Sequence, residues 1–329
     1  MSVEPVRHRA SGLAFALAAA LSFGGAGVAA RPLLDAGIDP VQVTWLRLGG
    51  AALLLAPVAL MHWRLLLRRP LLVVAYGVFP MAGVQALYFG AVDRIPVGIA
   101  LLIEFLGPVL LLLWFRLVRR TRVAPAAAVG VVLAVAGLGL LLEVWAGMSL
   151  DPLGVGLALG AAAAQVGFFL LSDSTGEGAD PLAVIAFGSL VATALLAVLA
   201  RPWTIPWSTL AEPLPIGGTQ VPGWAITLWL GLVCTAVAYF CGVSAVRRLS
   251  PQVAGGVAYL EVVTAIVLAW LLLGEALSPV QVVGAVVIVV GAFITQTAVP
   301  ERPAPRRTGR EPSPEPDSDG SLAESFPRA

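Results

Sequence analysis

Ten runs of about twenty apolar residues, cut only at Arg, Pro and Asp, limit what this chain can become. They cover approximately 11–30, 41–60, 71–92, 96–115, 124–142, 153–171, 181–200, 222–245, 252–273 and 279–298. About 20 apolar residues in helical conformation cross a bilayer core. Charged residues make up 12% of the chain and hydrophobic ones 59%, whereas a soluble domain carries roughly 25% charge, so too little charge is present to coat a water-facing globule. The expected fold is all-α and integral to the membrane, with ten transmembrane helices. Arg7 and Arg9 before the first run imitate a signal peptide, but nine further runs follow and the first is read as a helix of the bundle. Connections are short, and Pro96, Pro181 and Pro279 stand where helices start. Beyond Pro300 the chain turns to Arg, Pro, Glu, Ser and Asp, which cannot bury enough apolar surface to order itself. Residues 299–329 are expected to form a disordered cytoplasmic tail.

All 20 cationic residues are Arg and 19 acids nearly cancel them, so net charge gives no reason to expect nucleic acid as a partner. Distribution is the informative quantity, because cytoplasmic loops accumulate positive charge. Arg7, Arg9, Arg64, Arg68, Arg69, Arg116, Arg119, Arg120, Arg122, Arg247, Arg248 and the tail arginines Arg302, Arg306, Arg307 and Arg310 fall on one side; Arg31, Arg94 and Arg201 fall on the other. Both termini, including the segment 1–10, are therefore expected in the cytoplasm. That is also what an even number of spans requires.

The halves repeat. A shift of 154 residues overlays Arg94 on Arg248, Pro125 on Pro279, Gly130 on Gly284 and Gly137 on Gly291, and a shift of 141 overlays Asp39-Pro40 on Asp180-Pro181. The difference matches a longer connection around 201–221. Residues 11–142 and 153–298 thus form two repeats of five spans each, and an odd number makes the second half enter the membrane from the opposite face. Inverted repeats are the architecture of alternating-access transporters.

Arg47, Glu104 and Glu261 lie well inside spans. Each costs at least ~2.5 kcal/mol at the centre of a helix, so such residues usually face an interior cavity and a partner. The 154 shift puts Glu104 on Ala258, three residues from Glu261, about 4.5 Å along a helix and on nearly the same face. Two acids against one Arg leave an excess negative charge. If Arg47 pairs with one acid, the other must be protonated, meet a cationic group of a substrate or accept a neutral donor. Either acid could instead be a structural lock between helices. Pro108 sits one turn beyond Glu104 in Glu104-Phe105-Leu106-Gly107-Pro108 and frees a carbonyl there, as in a broken-helix binding element or a plain packing kink. Gln85, Tyr88, Gln165, Tyr239 and Tyr259 are the remaining mid-span polar candidates. Gly24-Gly25, Gly49-Gly50 and Gly255-Gly256 suit close helix packing, Trp203 and Trp207 interfacial anchoring, and Glu275 a cap or interface charge.

No phosphate-binding loop, dinucleotide fingerprint or nucleophile elbow occurs in the sequence. Cys234 and Cys241 are seven residues apart, roughly 10 Å along a helix and beyond the ~7 Å reach of a disulfide. His8 and His62 belong to no ligand cluster. Neither enzyme activity, metal nor cofactor is expected.

The ten spans in two inverted halves, Thr44-Trp45-Leu46-Arg47-Leu48 in span 2, and Leu273-Gly274-Glu275-Ala276-Leu277-Ser278-Pro279 followed by Gly284 and Gly291 resemble the EamA branch of the drug/metabolite transporter superfamily. Within it, Ile95-Pro96-Val97-Gly98-Ile99-Ala100 and Glu104-Phe105-Leu106-Gly107-Pro108 resemble the threonine/homoserine exporter type. The resemblance covers about residues 10–298. The chain departs from that pattern at Val262, where Pro is usual, and at Gln165, where an aromatic is common. The resemblance implies a secondary exporter of small metabolites such as amino acids, driven by the proton gradient across a bacterial inner membrane, with a central cavity between the halves.

Together these observations make small-molecule substrate, protons and lipid the expected partners. Arg47, Gln85, Tyr88, Glu104, Pro108, Tyr259 and Glu261 are the expected substrate-binding set, with Glu104 and Glu261 as the proton-coupling pair. A broad efflux carrier of lipophilic cations is the alternative within the class. A non-transporting membrane scaffold or intramembrane enzyme is the alternative outside it.

Overall fold

The computed structural model describes residues 4–118, 120, 125–143, 150–174, 180–246, 248–249 and 259–298. The tail from 299, Gly255-Gly256 and the arginines at 119, 122 and 247 lie outside the described residues. Ten apolar helices occur within them: α1 (Ala10–Asp35), α2 (Pro40–Met61), α3 (Pro70–Val92), α4 (Val97–Trp114), α5 (Pro125–Leu141), α6 (Pro152–Gly167), α7 (Pro181–Ala200), α8 (Gly223–Ala245), α9 (Leu260–Leu273) and α10 (Pro279–Thr295). Six of them (α1, α2, α3, α4, α7 and α8) are long and apolar enough to cross a membrane by length and composition, and four are shorter.

Local chemistry sets the helix starts. Asp39 accepts the Val41 N–H at 2.8 Å while the Gln42 side chain accepts the Asp39 N–H, a capping box with Pro40 as the first helical residue. Asp180 caps α7 without the reciprocal bond, its side chain accepting from the Leu182 and Ala183 N–H groups, with Pro181 again the first helical residue. Replacing either Asp by Ala is expected to cost about 1 kcal/mol, read as a lowered thermal midpoint of the detergent-solubilised protein.

Two features differ from ten uniform rods. α4 is broken: Val97–Glu104 stops, Phe105 and Leu106 turn with ψ near zero, and the helix restarts at Gly107. Pro108 has no N–H to offer the Glu104 carbonyl. In addition, π-turns widen α3 at Gly77–Gly83, α8 at Leu232–Val237 and α9 at Ala269–Leu273. The all-α expectation also needs one correction. The connection before α8 holds a two-stranded antiparallel hairpin, β1 (Pro213–Ile216) with β2 (Thr219–Pro222). Its two-residue turn requires positive φ at both Gly217 and Gly218, and the Gly217 N–H donates to Leu272 at the end of α9. Trp203 and Trp207 beside it are exposed.

Tertiary contacts obey the shifts of 141 and 154. α5 crosses α10 so closely that a Cβ on Gly291 would lie 2.6 Å from the Gly130 carbonyl oxygen and one on Gly137 2.9 Å from that of Gly284. With Gly130 facing Gly291 and Gly137 facing Gly284, the two helices run antiparallel. Gly231 of α8 packs on Gly50 of α2, and the shifts carry that pair onto Gly77 of α3 against Val191 of α7, which is also a contact. Gly24 of α1 meets the Glu261 carbonyl of α9, and the shifted pair, Gln165 of α6 and Gly107 of α4, is again in contact. The π-turn of α3 maps onto that of α8.

One end of the bundle gathers the ends of α1, α3, α5 and α9 and the starts of α4, α6 and α10. Arg31 donates to Asp35 at 2.9 Å and to the Val92 carbonyl at 2.7 Å, and Arg94 pairs with Asp151. Ser278 donates to Glu143. Glu275 does cap a helix, but not its own: its Oε2 accepts the Val97 N–H at the start of α4, at 2.8 Å. Burial lifts the Glu275 carboxyl above the usual carboxylate range, partly countered by that N–H. The Leu153 N–H, followed by Arg94, holds Asp151 below it.

Candidate functional site

Arg47 enters the bundle from α2 and is 2% exposed. Its Nε donates to Thr235 Oγ1 at 2.8 Å, its Nη2 to the Cys234 carbonyl at 2.8 Å and its Nη1 to Gln85 Oε1 at 2.7 Å. The guanidinium also lies 5.4 Å from the centre of the Phe89 ring, within cation–π range. Thr235 passes its own hydrogen to the Leu230 carbonyl five residues back, inside the π-turn of α8. Arg47 therefore ties α2, α3 and α8 together through neutral acceptors. Among the described residues no ion pair joins it to either acid, so its hydrogen bonds go to neither carboxylate.

Glu104 ends the first half of α4 and is 7% exposed; Glu261 stands in the first turn of α9 and is half-buried. Among the described residues neither carboxylate has a hydrogen-bond or ion-pair partner, and neither is fully sealed by protein. They feel each other and Arg47 electrostatically, and Tyr88 and Tyr239 lie within the field of all three. The Tyr88 hydroxyl lies where a side chain on Gly27 would be, which is why α1 carries no side chain there. Tyr239 sits beside Gln85. Under the 154 shift Gln85 and Tyr239 are counterparts, as are Phe105 and Tyr259, whose rings are 5.6 Å apart. Two pairs in contact with their own counterparts mark a local pseudo-two-fold axis.

Arg47, Gln85, Tyr88, Tyr239, Glu104 and Glu261 are thus brought together. Tyr259 is 6% exposed, its ring tilted against Phe105 and edge-on to Phe293, its hydroxyl without a partner. Pro108 contributes by restarting α4 beyond Glu104. Gln165 reaches α4 at Gly107, its Oε1 occupying the space of the missing side chain. Sequence reasoning missed Thr235, Phe89 and the Cys234 carbonyl. Thr235 carried a signal, a hydroxyl in the middle of an apolar run; the carbonyl carried none. Among the described residues no three His, Cys, Asp or Glu side chains cluster as metal ligands.

Arg47→Leu would leave Gln85, Thr235 and Cys234 without their donor. A loss of about 3 kcal/mol or more in stability is expected, seen as a collapsed monodisperse fraction after extraction. Arg47→Lys keeps the charge but cannot reach three acceptors on two helices at once, and is expected to fall between.

Residues 10–143 and 152–297 each match the EamA-like transporter family. The chain belongs to this family. It is a multi-pass membrane protein and a transporter, built from two EamA repeats. It is 31% identical over 241 residues to the threonine/homoserine exporter RhtA of Salmonella typhimurium (strain SL1344), covering 72% of this chain and 74% of that protein. To RhtA of Escherichia coli (strain K12) it is 34% identical over 223 residues, 65% of this chain and 66% of that one. It is 28% identical to the uncharacterized transporter YwfM of Bacillus subtilis (strain 168), over 66% and 71% of the two chains. A solved structure described as "Crystal structure of protein" overlays 88% of this chain and 98% of its own with a TM-score of 0.58 at 23% identity, which extends the shared fold to nearly all of that chain.

Proposed function

We propose that the chain is a proton-coupled exporter of small zwitterionic metabolites, with threonine and homoserine the first candidates, working by alternating access in a bacterial cytoplasmic membrane. The observation that carries the reading is the pair of carboxylates, Glu104 buried and Glu261 half-buried, without hydrogen-bond or ion-pair partners among the described residues while Arg47 gives its hydrogen bonds to neutral oxygens. Two such acids can exchange a proton for the ammonium group of a substrate. Tyr88, Gln85 and Tyr239 supply neutral polar surface beside them, and the names of the RhtA relatives supply the substrate class and the direction.

The ten helices cross the membrane as two inverted five-helix repeats, 11–142 and 153–298, with both termini in the cytoplasm. The antiparallel α5–α10 crossing and the paired contacts under the two shifts support the inversion. The arginine count supports the orientation. The break of α4 at Phe105-Leu106, beside Glu104, gives the cavity a polar backbone edge of the kind discontinuous helices present to substrates.

Purified protein in proteoliposomes loaded with labelled threonine tests this. Efflux accelerated by an imposed pH gradient is expected. Efflux indifferent to the gradient would remove proton coupling, and extrusion of cationic dyes without amino-acid flux would replace the substrate class.

A further inference from the structure

The two halves furnish repeat-related positions of α4 and α9 with different chemistry. The shifts carry the contact of Gly24 with Glu261 onto that of Gln165 with Gly107, so Gly107 occupies in α4 the place that Glu261 occupies in α9. The second half puts a carboxylate there. The first half puts nothing, and the Gln165 amide from α6 fills the space, its Oε1 so near that any side chain on residue 107 would collide with it. Gly107 is also the residue at which α4 restarts, three positions beyond Glu104. Among the described residues the amide has no hydrogen-bond partner, and it is not sealed off by protein. An acid and a neutral amide therefore take equivalent places in the two halves.

We infer that Gln165 is a specificity-determining residue, reading a neutral hydroxyl on the substrate side chain while the acids attend to its ammonium group. This rests on the amino-acid export reading above. An amide offers both a donor and an acceptor, which suits a hydroxyl, and a site built around such a group discriminates against the isostere that lacks it because its own polar atoms are then left unpaired. Gly107 is the residue that makes room: a methyl there would push the amide out of position.

Labelled L-threonine and its isostere L-valine, presented together to proteoliposomes under a pH gradient, give a flux ratio that is independent of how much protein inserted. Wild type is expected to favour threonine. Gln165→Leu is expected to lower the ratio about five- to tenfold, the value of one such hydrogen bond, largely by losing threonine flux while valine flux persists. Gln165→Asn, too short to reach across from α6, and Gly107→Ala, which displaces the amide, should lower it in the same direction and stand in if the Leu variant does not fold. A wild-type ratio near one, or a ratio unchanged in the variants that fold, would overturn the role of Gln165 and leave the exporter reading intact. Gradient-insensitive wild type with no flux of either amino acid would overturn the exporter reading, and this inference with it.

Discussion

Glu261→Gln and Glu104→Gln are each expected to reduce gradient-driven efflux to the level of protein-free vesicles without reducing the amount of folded protein. Gln preserves shape and hydrogen-bonding capacity but cannot exchange a proton. It also removes a charge that has no hydrogen-bond or ion-pair partner among the described residues, and whose placement within a span costs at least ~2.5 kcal/mol, so thermal midpoints should hold or rise. Exchange of external for internal threonine, which needs no net proton movement, should continue through the remaining acid, at weaker apparent affinity. The measurement is therefore a pair of assays on one preparation, net flux under a pH gradient and counterflow without one. Loss of both, together with loss of monodisperse protein, would make the acids locks between helices. Equal net flux in wild type and variants would remove them from coupling altogether.

The second large effect belongs to the α5–α10 seam. A Cβ on Gly291 would stand 2.5 Å from the Ala134 nitrogen and 2.6 Å from the Gly130 oxygen, backbone atoms that cannot swing aside as a side-chain tip can. Gly291→Leu must therefore push the helices apart along the whole crossing, and a loss of about 3 kcal/mol or more is expected, at or beyond the usual cost of overpacking. Gly137→Leu, facing Gly284 one step along the same seam, should behave alike. Gly139 is two residues away in the same helix with nothing within 4 Å of its Cβ position. Gly139→Ala should be neutral or stabilise by about 0.5–1 kcal/mol through reduced backbone freedom. The contrast between neighbouring glycines, read as thermal midpoints in detergent, separates the seam from a general intolerance of α5 to substitution.

Much of this architecture was legible because membrane insertion depends on local composition. The apolar runs located the helices, and Asp39-Pro40, Asp180-Pro181 and the four seam glycines exposed the repeat because caps and close crossings are chemistry confined to a few residues. Arg47, Glu104 and Glu261 stood out for the same reason, as charges whose burial is costly wherever it occurs. The role of Arg47 did not stand out. Charge balance allowed a pair with one of the acids, whereas the guanidinium takes Thr235, the Cys234 carbonyl and Gln85, partners 38 to 188 residues away in the chain.

The sequence by itself determined that the chain is a helical membrane protein of two related halves with three costly charges inside, since hydrophobicity, capping and repetition are written in consecutive residues. Only the tertiary structure decided which charges go without a hydrogen-bond or ion-pair partner among the described residues, that the bulges of α3 and α8 correspond, that Phe105 meets Tyr259 and that the Gln165 amide takes the place left by Gly107. Those depend on how side chains from distant segments share one volume, and packing of that kind leaves no periodic trace along the chain.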